Sequence, residues 1–175
     1  GLVTHFLKIA EQGMPVCLYE IPGRAASSME NATIIEIVEK GGGLVTALKD
    51  ATADLTRPLA LRAKLGSKLA LLTGDDPTYA AYLASGGDGV VSVASHVVLP
   101  QMIRIRENIL KGAMAQAAAE QARLLPFIND LFRESNPVPV KSLLAAQGRI
   151  KENVFCSPLV PMKPELLSQL QKLAG

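Results

Sequence analysis

Apolar residues along the chain fall into short runs separated by longer stretches with helical spacing. PVCLYE (15–20), GLVTALKD (43–50), KLALLTG (68–74) and DGVVSVAS (88–95) are the short runs, bounded by Gly, Pro or Asp in the manner of strands. Between them lie helical patterns: ENATIIEIVEK around 30–40, DLTRPLALRAKLG over 54–66, and DDPTYAAYLASGG, a short helix ending in glycines. Asp54 is placed to cap the second of these and Gly66 to stop it. The opening GLVTHFLKIAEQG is an amphipathic helical segment without the charged front and cleavage site of a signal peptide.

Strand starts recur about every 20–30 residues, each followed by a helix, which is the rhythm of βα units and a parallel sheet. Beyond residue 96 no strand is expected. VLPQMIRIRENILKG, AMAQAAAEQARLLPFINDLFRE, PVKSLLAAQG and KPELLSQLQKLA all carry helical periodicity. The expected class is α/β, with βα units over 1–96 and a helical region over 97–175. Four βα units make half of a closed eight-stranded barrel, which takes about 250 residues. An open four-stranded sheet with helices on both faces is the competing geometry.

Composition narrows the function classes. The 175 residues are 49% hydrophobic and 19% charged with a net charge of +2, so neither a nucleic-acid surface nor an anionic membrane surface is suggested. Aromatic residues make up 4% and Trp is absent, which argues against base-stacking platforms. Cys17 and Cys156 stand far apart and form no CxxC pair, so neither a disulfide framework nor a zinc site is expected, in keeping with the cytoplasm. No apolar run approaches the ~20 residues needed to span a bilayer.

Candidate chemistry gathers at the carboxyl ends of the strands, where parallel βα folds place their sites. Lys49 closes the second strand. Desolvated there, a neutral amine could attack a carbonyl and form a Schiff base; alternatively the lysine reaches solvent or pairs with Asp50, Asp75 or Asp76. YEIPGR (19–24) offers Tyr19 as a proton relay and Arg24 as a fork for a carboxylate, on either side of a Pro22-Gly23 turn. The alternative is a turn whose tyrosine packs and whose arginine is solvated. TGDD (73–76) reads first as a helix cap, with Gly74 allowing close approach of the backbone to a ligand; a metal site is weakly supported because no third ligand is near. GGDGVVSV has its glycines before the strand and fails as a phosphate loop. His5 and His96 stand alone and read as structural or surface residues.

The order YEIPGR, LKDAT, LLTGDD, GDGVVSV, NPVPVK resembles the later half of the dihydrodipicolinate synthase family, pyruvate-dependent class I aldolases that include N-acetylneuraminate lyase. The resemblance covers nearly the whole chain and weakens after about residue 148. It implies the last four units of a TIM (β/α)8 barrel, condensation of pyruvate with aspartate semialdehyde, no metal or organic cofactor, and a homotetramer built from dimers. By position it implies that Lys49 forms the pyruvate imine and that Tyr19 relays protons. It also implies that Arg24 binds the semialdehyde carboxylate, and that Val91 (through its backbone) and Gly74 line the substrate pocket. Departures from the family pattern are Glu20 for Asn, an added carboxylate beside the site, Ala25 for Thr, and Asp50 for Glu. The family's first four βα units have no counterpart here, so the chain is expected to be part of a longer barrel and inactive as a synthase by itself. The readings set against this one are a sibling aldolase or sugar-acid dehydratase, and a non-catalytic barrel half that binds a ligand or partner.

Overall fold

The computed structural model describes residues 1–174. They form two compact units, one ending at Val91 and one starting at Ser92.

In the first unit a helix α1 (Leu2–Ala10) precedes strand β1 (Val16–Glu20), and a short helix α2 (Pro22–Ala25) leads to α3 (Asn31–Lys40). Strand β2 (Val45–Asp50), helix α4 (Thr56–Leu65), strand β3 (Ala70–Thr73), helix α5 (Tyr79–Ala84) and strand β4 (Gly89–Val90) follow. The strands pair in parallel in the order β1-β2-β3-β4.

Register explains the layering. Leu18, Leu48 and Leu71 are partners across three strands and are fully buried on one face. They pack with Ile34, Ile37, Leu61 and Leu65 of α3 and α4. At about 1.5–3 kcal/mol per buried leucine or isoleucine, this layer is what holds the helices on the sheet. Side chains alternate along a strand, so the next row, Tyr19–Lys49–Leu72–Gly89, faces the opposite side. The row after that, Glu20–Asp50–Thr73–Val90, returns to the helix side.

Three local expectations are corrected. Strand β4 is only two residues long, extended by the Val91 N–H donating to the Thr73 carbonyl at 2.9 Å. The rest of the expected strand, 92–95, is a helix entry in which Ser92 Oγ accepts from the Ser95 N–H at 2.8 Å, the hydroxyl competing for the backbone as a turn does. Helix α4 starts at Thr56, so Asp54 stands just outside its cap; its carboxylate still accepts from the Thr56 N–H at 2.8 Å and Oγ1 at 2.6 Å. Those bonds hold the Asp54 carboxyl below the usual range. Pro22-Gly23 opens one helical turn, closed by Ala26 at φ 49, where a simple tight turn was expected. Gly66 does stop α4, at φ 56.

The second unit is helical: α6 (Ser95–Leu110), α7 (Met114–Asp130), α8 (Val138–Ala146) and α9 (Pro164–Ala174). Helices α6 and α7 pack together, and α9 packs on α7 and α8. Among the described residues no helix is long and apolar enough to cross a membrane.

Candidate active site

Strand register puts Tyr19 and Lys49 on the same face of the sheet, since they are partners on adjacent parallel strands. The Lys49 Nζ lies 3.9 Å from the centroid of the Tyr19 ring. An ammonium over an aromatic face is attracted by the ring quadrupole, and the tyrosine fixes where the flexible lysine ends. Two carboxylates that could have neutralised Lys49 by ordinary pairing, Asp50 and Asp75, are engaged elsewhere. Asp50 Oδ1 accepts from Thr52 N–H at 3.0 Å and Oγ1 at 2.7 Å, while its Oδ2 faces Arg57 Nε at 3.7 Å. Asp75 Oδ2 accepts from Thr78 N–H at 3.1 Å and Oγ1 at 2.7 Å, the capping role expected of TGDD.

Gly74 completes the cluster. Its N–H donates to the Asp50 carbonyl at 2.6 Å, which continues the β2–β3 ladder one step past the strand end. A Cβ on Gly74 would lie 3.0 Å from Lys49 Cε and 2.9 Å from the Ala51 Cβ. The missing side chain is therefore the space that the lysine stem occupies. Val91 lies one residue past β4, its N–H spent on the Thr73 carbonyl, and the residue is 44% exposed. Arg24 is exposed at the end of α2, and among the described residues no hydrogen bond or ion pair joins it to Tyr19 or Lys49.

Glu20 does not stand beside Lys49 as an added carboxylate. Parity turns it to the helix side, where it is 2% exposed and accepts the Met29 N–H on Oε2 at 3.0 Å. Sequence reasoning missed two residues there. Arg57, in the first turn of α4, donates from Nη1 to the Met29 carbonyl at 3.0 Å and faces Asp50. Thr73, fully buried, donates its hydroxyl to the Asp50 carbonyl at 3.4 Å and accepts the Asp75 N–H at 3.0 Å. A buried carboxylate at the end of each of two strands was the available signal, because such groups require partners.

A model of the dihydrodipicolinate synthetase family matches residues 1–175. The chain belongs to that family. Among its curated relatives, the 4-hydroxy-tetrahydrodipicolinate synthase of Bdellovibrio bacteriovorus is 37% identical over 172 residues, covering 98% of this chain and 58% of that protein. The same-named protein of Koribacter versatilis is 37% identical over 176 residues and is likewise covered to 58%. Among solved structures, dihydrodipicolinate synthase from Aquifex aeolicus superposes with a TM-score of 0.92 at 29% identity, covering 99% of this chain and 59% of that one. A chloride-inhibited dihydrodipicolinate synthase from Acinetobacter baumannii, complexed with pyruvate, gives 0.90 at 32% identity with the same coverage. The chain thus spans about half to three fifths of the length of the curated relatives it matches, and its four parallel strands form part of a TIM barrel.

Proposed function

We propose that the barrel carrying this chain is a lyase that condenses pyruvate with L-aspartate 4-semialdehyde to 4-hydroxy-tetrahydrodipicolinate, a step toward diaminopimelate and lysine. The observation that supports it most is the Lys49 amine poised over Tyr19 at the carboxyl ends of adjacent barrel strands, with Gly74 leaving room for its stem.

The chemistry follows from an amine so held. Lys49 Nζ attacks the keto carbon of pyruvate, and loss of water from the carbinolamine leaves a protonated imine. The imine nitrogen then acts as an electron sink, so the pyruvate methyl loses a proton and becomes an enamine carbon. That carbon attacks the aldehyde of the semialdehyde, whose oxygen takes up a proton. The substrate's own amine finally adds to the imine carbon, closing the ring and expelling Lys49. Tyr19 moves protons to and from the reacting oxygens, and Arg24 binds the semialdehyde carboxylate at the mouth. Gly74 and the Val91 backbone line the pyruvate pocket. The electron sink is generated on the substrate by Lys49 itself, a role that calls for neither metal nor organic cofactor. The working assembly is a cytoplasmic homotetramer built from dimers, an expectation that sedimentation checks directly, since one solved relative is described as a monomeric variant.

Activity is measured on a complete barrel in which this segment is joined to the preceding strands of the Bdellovibrio relative. Pyruvate with borohydride is expected to add one reduced pyruvyl group at Lys49 and none in Lys49→Arg. Aspartate semialdehyde is expected to be consumed faster than sugar-derived aldehydes. Labelling of another side chain, or undiminished synthesis by Lys49→Arg, overturns the mechanism; preference for a sugar-derived aldehyde overturns the second substrate.

A further inference from the structure

The segment that carries Arg24 has little packing of its own. Residues 23–28 are exposed, and a cavity of about 100 Å³ lies beside the segment, lined in part by Tyr19, Glu20, Ala25 and Met29. Helix α2 is a single turn, too short to hold its place by helix packing. The first firmly buried residue after it is Met29, 4% exposed, with its side chain in the core.

Both polar groups of that residue's backbone are taken by charged side chains. The Met29 N–H donates to Glu20 Oε2 at 3.0 Å. Its carbonyl accepts from Arg57 Nη1 at 3.0 Å. Glu20 follows Tyr19 on β1, and its register partner Asp50 follows Lys49 on β2; Asp50 Oδ2 in turn faces Arg57 Nε at 3.7 Å. The two chemical residues and the two anchoring carboxylates thus sit on opposite faces of one pair of strand ends. Hydrogen bonds with an ionised partner are roughly twice as strong as neutral ones. Together they tie the far end of the Arg24 segment to the strands that carry Tyr19 and Lys49.

We infer that Glu20 and Arg57 are positioning residues that clamp the Met29 backbone at its N–H and its carbonyl and so hold Arg24 at the mouth of the site. This rests on the proposed role of Arg24 in binding the carboxylate of the second substrate. Pyruvate, attached to Lys49 on the other face, is held independently of the clamp. A glutamate suits this place better than a shorter side chain because it reaches the Met29 N–H from the strand end. Removing it loosens residues 21–28 while leaving every group that meets the substrate chemically intact.

The test uses the complete barrel with Glu20→Ala and Glu20→Gln, since glutamine keeps an acceptor of the same length. In the unmodified protein the Met29 amide is expected to exchange at least tenfold more slowly than those of Ser27 and Ser28. Glu20→Ala should speed Met29 exchange roughly ten- to hundredfold, the worth of one hydrogen bond to a charged group. It should raise KM for the semialdehyde about tenfold while KM for pyruvate and borohydride capture at Lys49 stay within about twofold. Glu20→Gln should restore both readouts to within about threefold. A Met29 amide no more protected than its neighbours in the unmodified protein overturns the clamp, and that measurement stands even if Glu20→Ala fails to fold. Equal rises in both KM values, or no rise in either, also overturn it. Failure of pyruvate to label Lys49 in the unmodified protein instead sinks the proposed chemistry, leaving the clamp to be judged by exchange alone.

Discussion

Replacing Gly74 by alanine tests whether the position of the Lys49 stem matters for the chemistry. The new Cβ would lie 2.9 Å from the Ala51 Cβ and 3.0 Å from Lys49 Cε. Optimal carbon–carbon separation is about 3.5–4.0 Å, so each contact is short by roughly 0.5–1 Å. Neither backbone is free to give. The Gly74 N–H is held by the Asp50 carbonyl at 2.6 Å, and the Ala51 N–H by the Glu20 carbonyl at 2.9 Å. The lysine stem is the softest neighbour, so it moves, by something near 1 Å.

Moving the lysine leaves the contact with the Ala51 Cβ unrelieved, so the stability cost should fall toward the upper end of the about 1–3 kcal/mol seen for overpacking. The chemical cost comes on top of it, because a 1 Å misplacement of a reacting group can slow a reaction about a hundredfold. The assay pairs the rate of borohydride capture of pyruvate at Lys49 with the urea midpoint, in the complete barrel. Adding Ala51→Gly to Gly74→Ala removes the closer contact and leaves the one with Lys49. It is expected to recover stability more than capture rate. Capture within twofold of the unmodified protein, alongside a lowered midpoint, would show that the lysine tolerates displacement and would refute the reasoning.

Tyr82 offers a pH prediction. Its ring is 1% exposed, its hydroxyl has no hydrogen-bond partner among the described residues, and burial followed by the Asp50 charge pushes its pKa well above the ordinary value of 10.0. The unfolded phenol ionises first, so the stabilising difference is complete below pH 10 and is lost as pH rises from there toward the folded pKa. Tyr82→Phe should change stability at pH 7 by less than about 1 kcal/mol and flatten the alkaline loss; urea midpoints from pH 7 to 11 check both. Gly87→Ala would put a Cβ 2.2 Å from Tyr82 Cδ1 and should lower the midpoint by the equivalent of about 3 kcal/mol or more, an effect that calorimetry reads as a fall in Tm.

Much of this site was legible from strand parity. Once PVCLYE and GLVTALKD are strands, Tyr19 shares a face with Cys17, and Lys49 cannot share one with Asp50. The spacing of apolar runs was enough for a parallel βα succession, because burial imposes period two on strands and 3.6 on helices regardless of what lies next to them. Local chemistry was equally readable where a side chain bonds its own neighbourhood, as Asp75 does with Thr78, and where a glycine's positive φ ends a helix, as at Gly66 after α4.

Only the tertiary structure decided what depends on contacts between distant segments. Register, set by pairing β1 with β2, put Lys49 over Tyr19 and turned Glu20 into the helix layer, thirty-seven positions from the arginine that shares its hold on Met29. Nothing in the local pattern of YEIPGR distinguishes a carboxylate beside the amine from one on the far face until the strand direction and its neighbours are known. Strand β4 stopped at Val90 for a similar reason: the apolar run continues, but the partner strand β3 ends at Thr73, and the Ser92 hydroxyl offered the backbone a helix entry instead. Periodicity is a property of each segment's burial. The geometry that makes chemistry is a property of which segments meet.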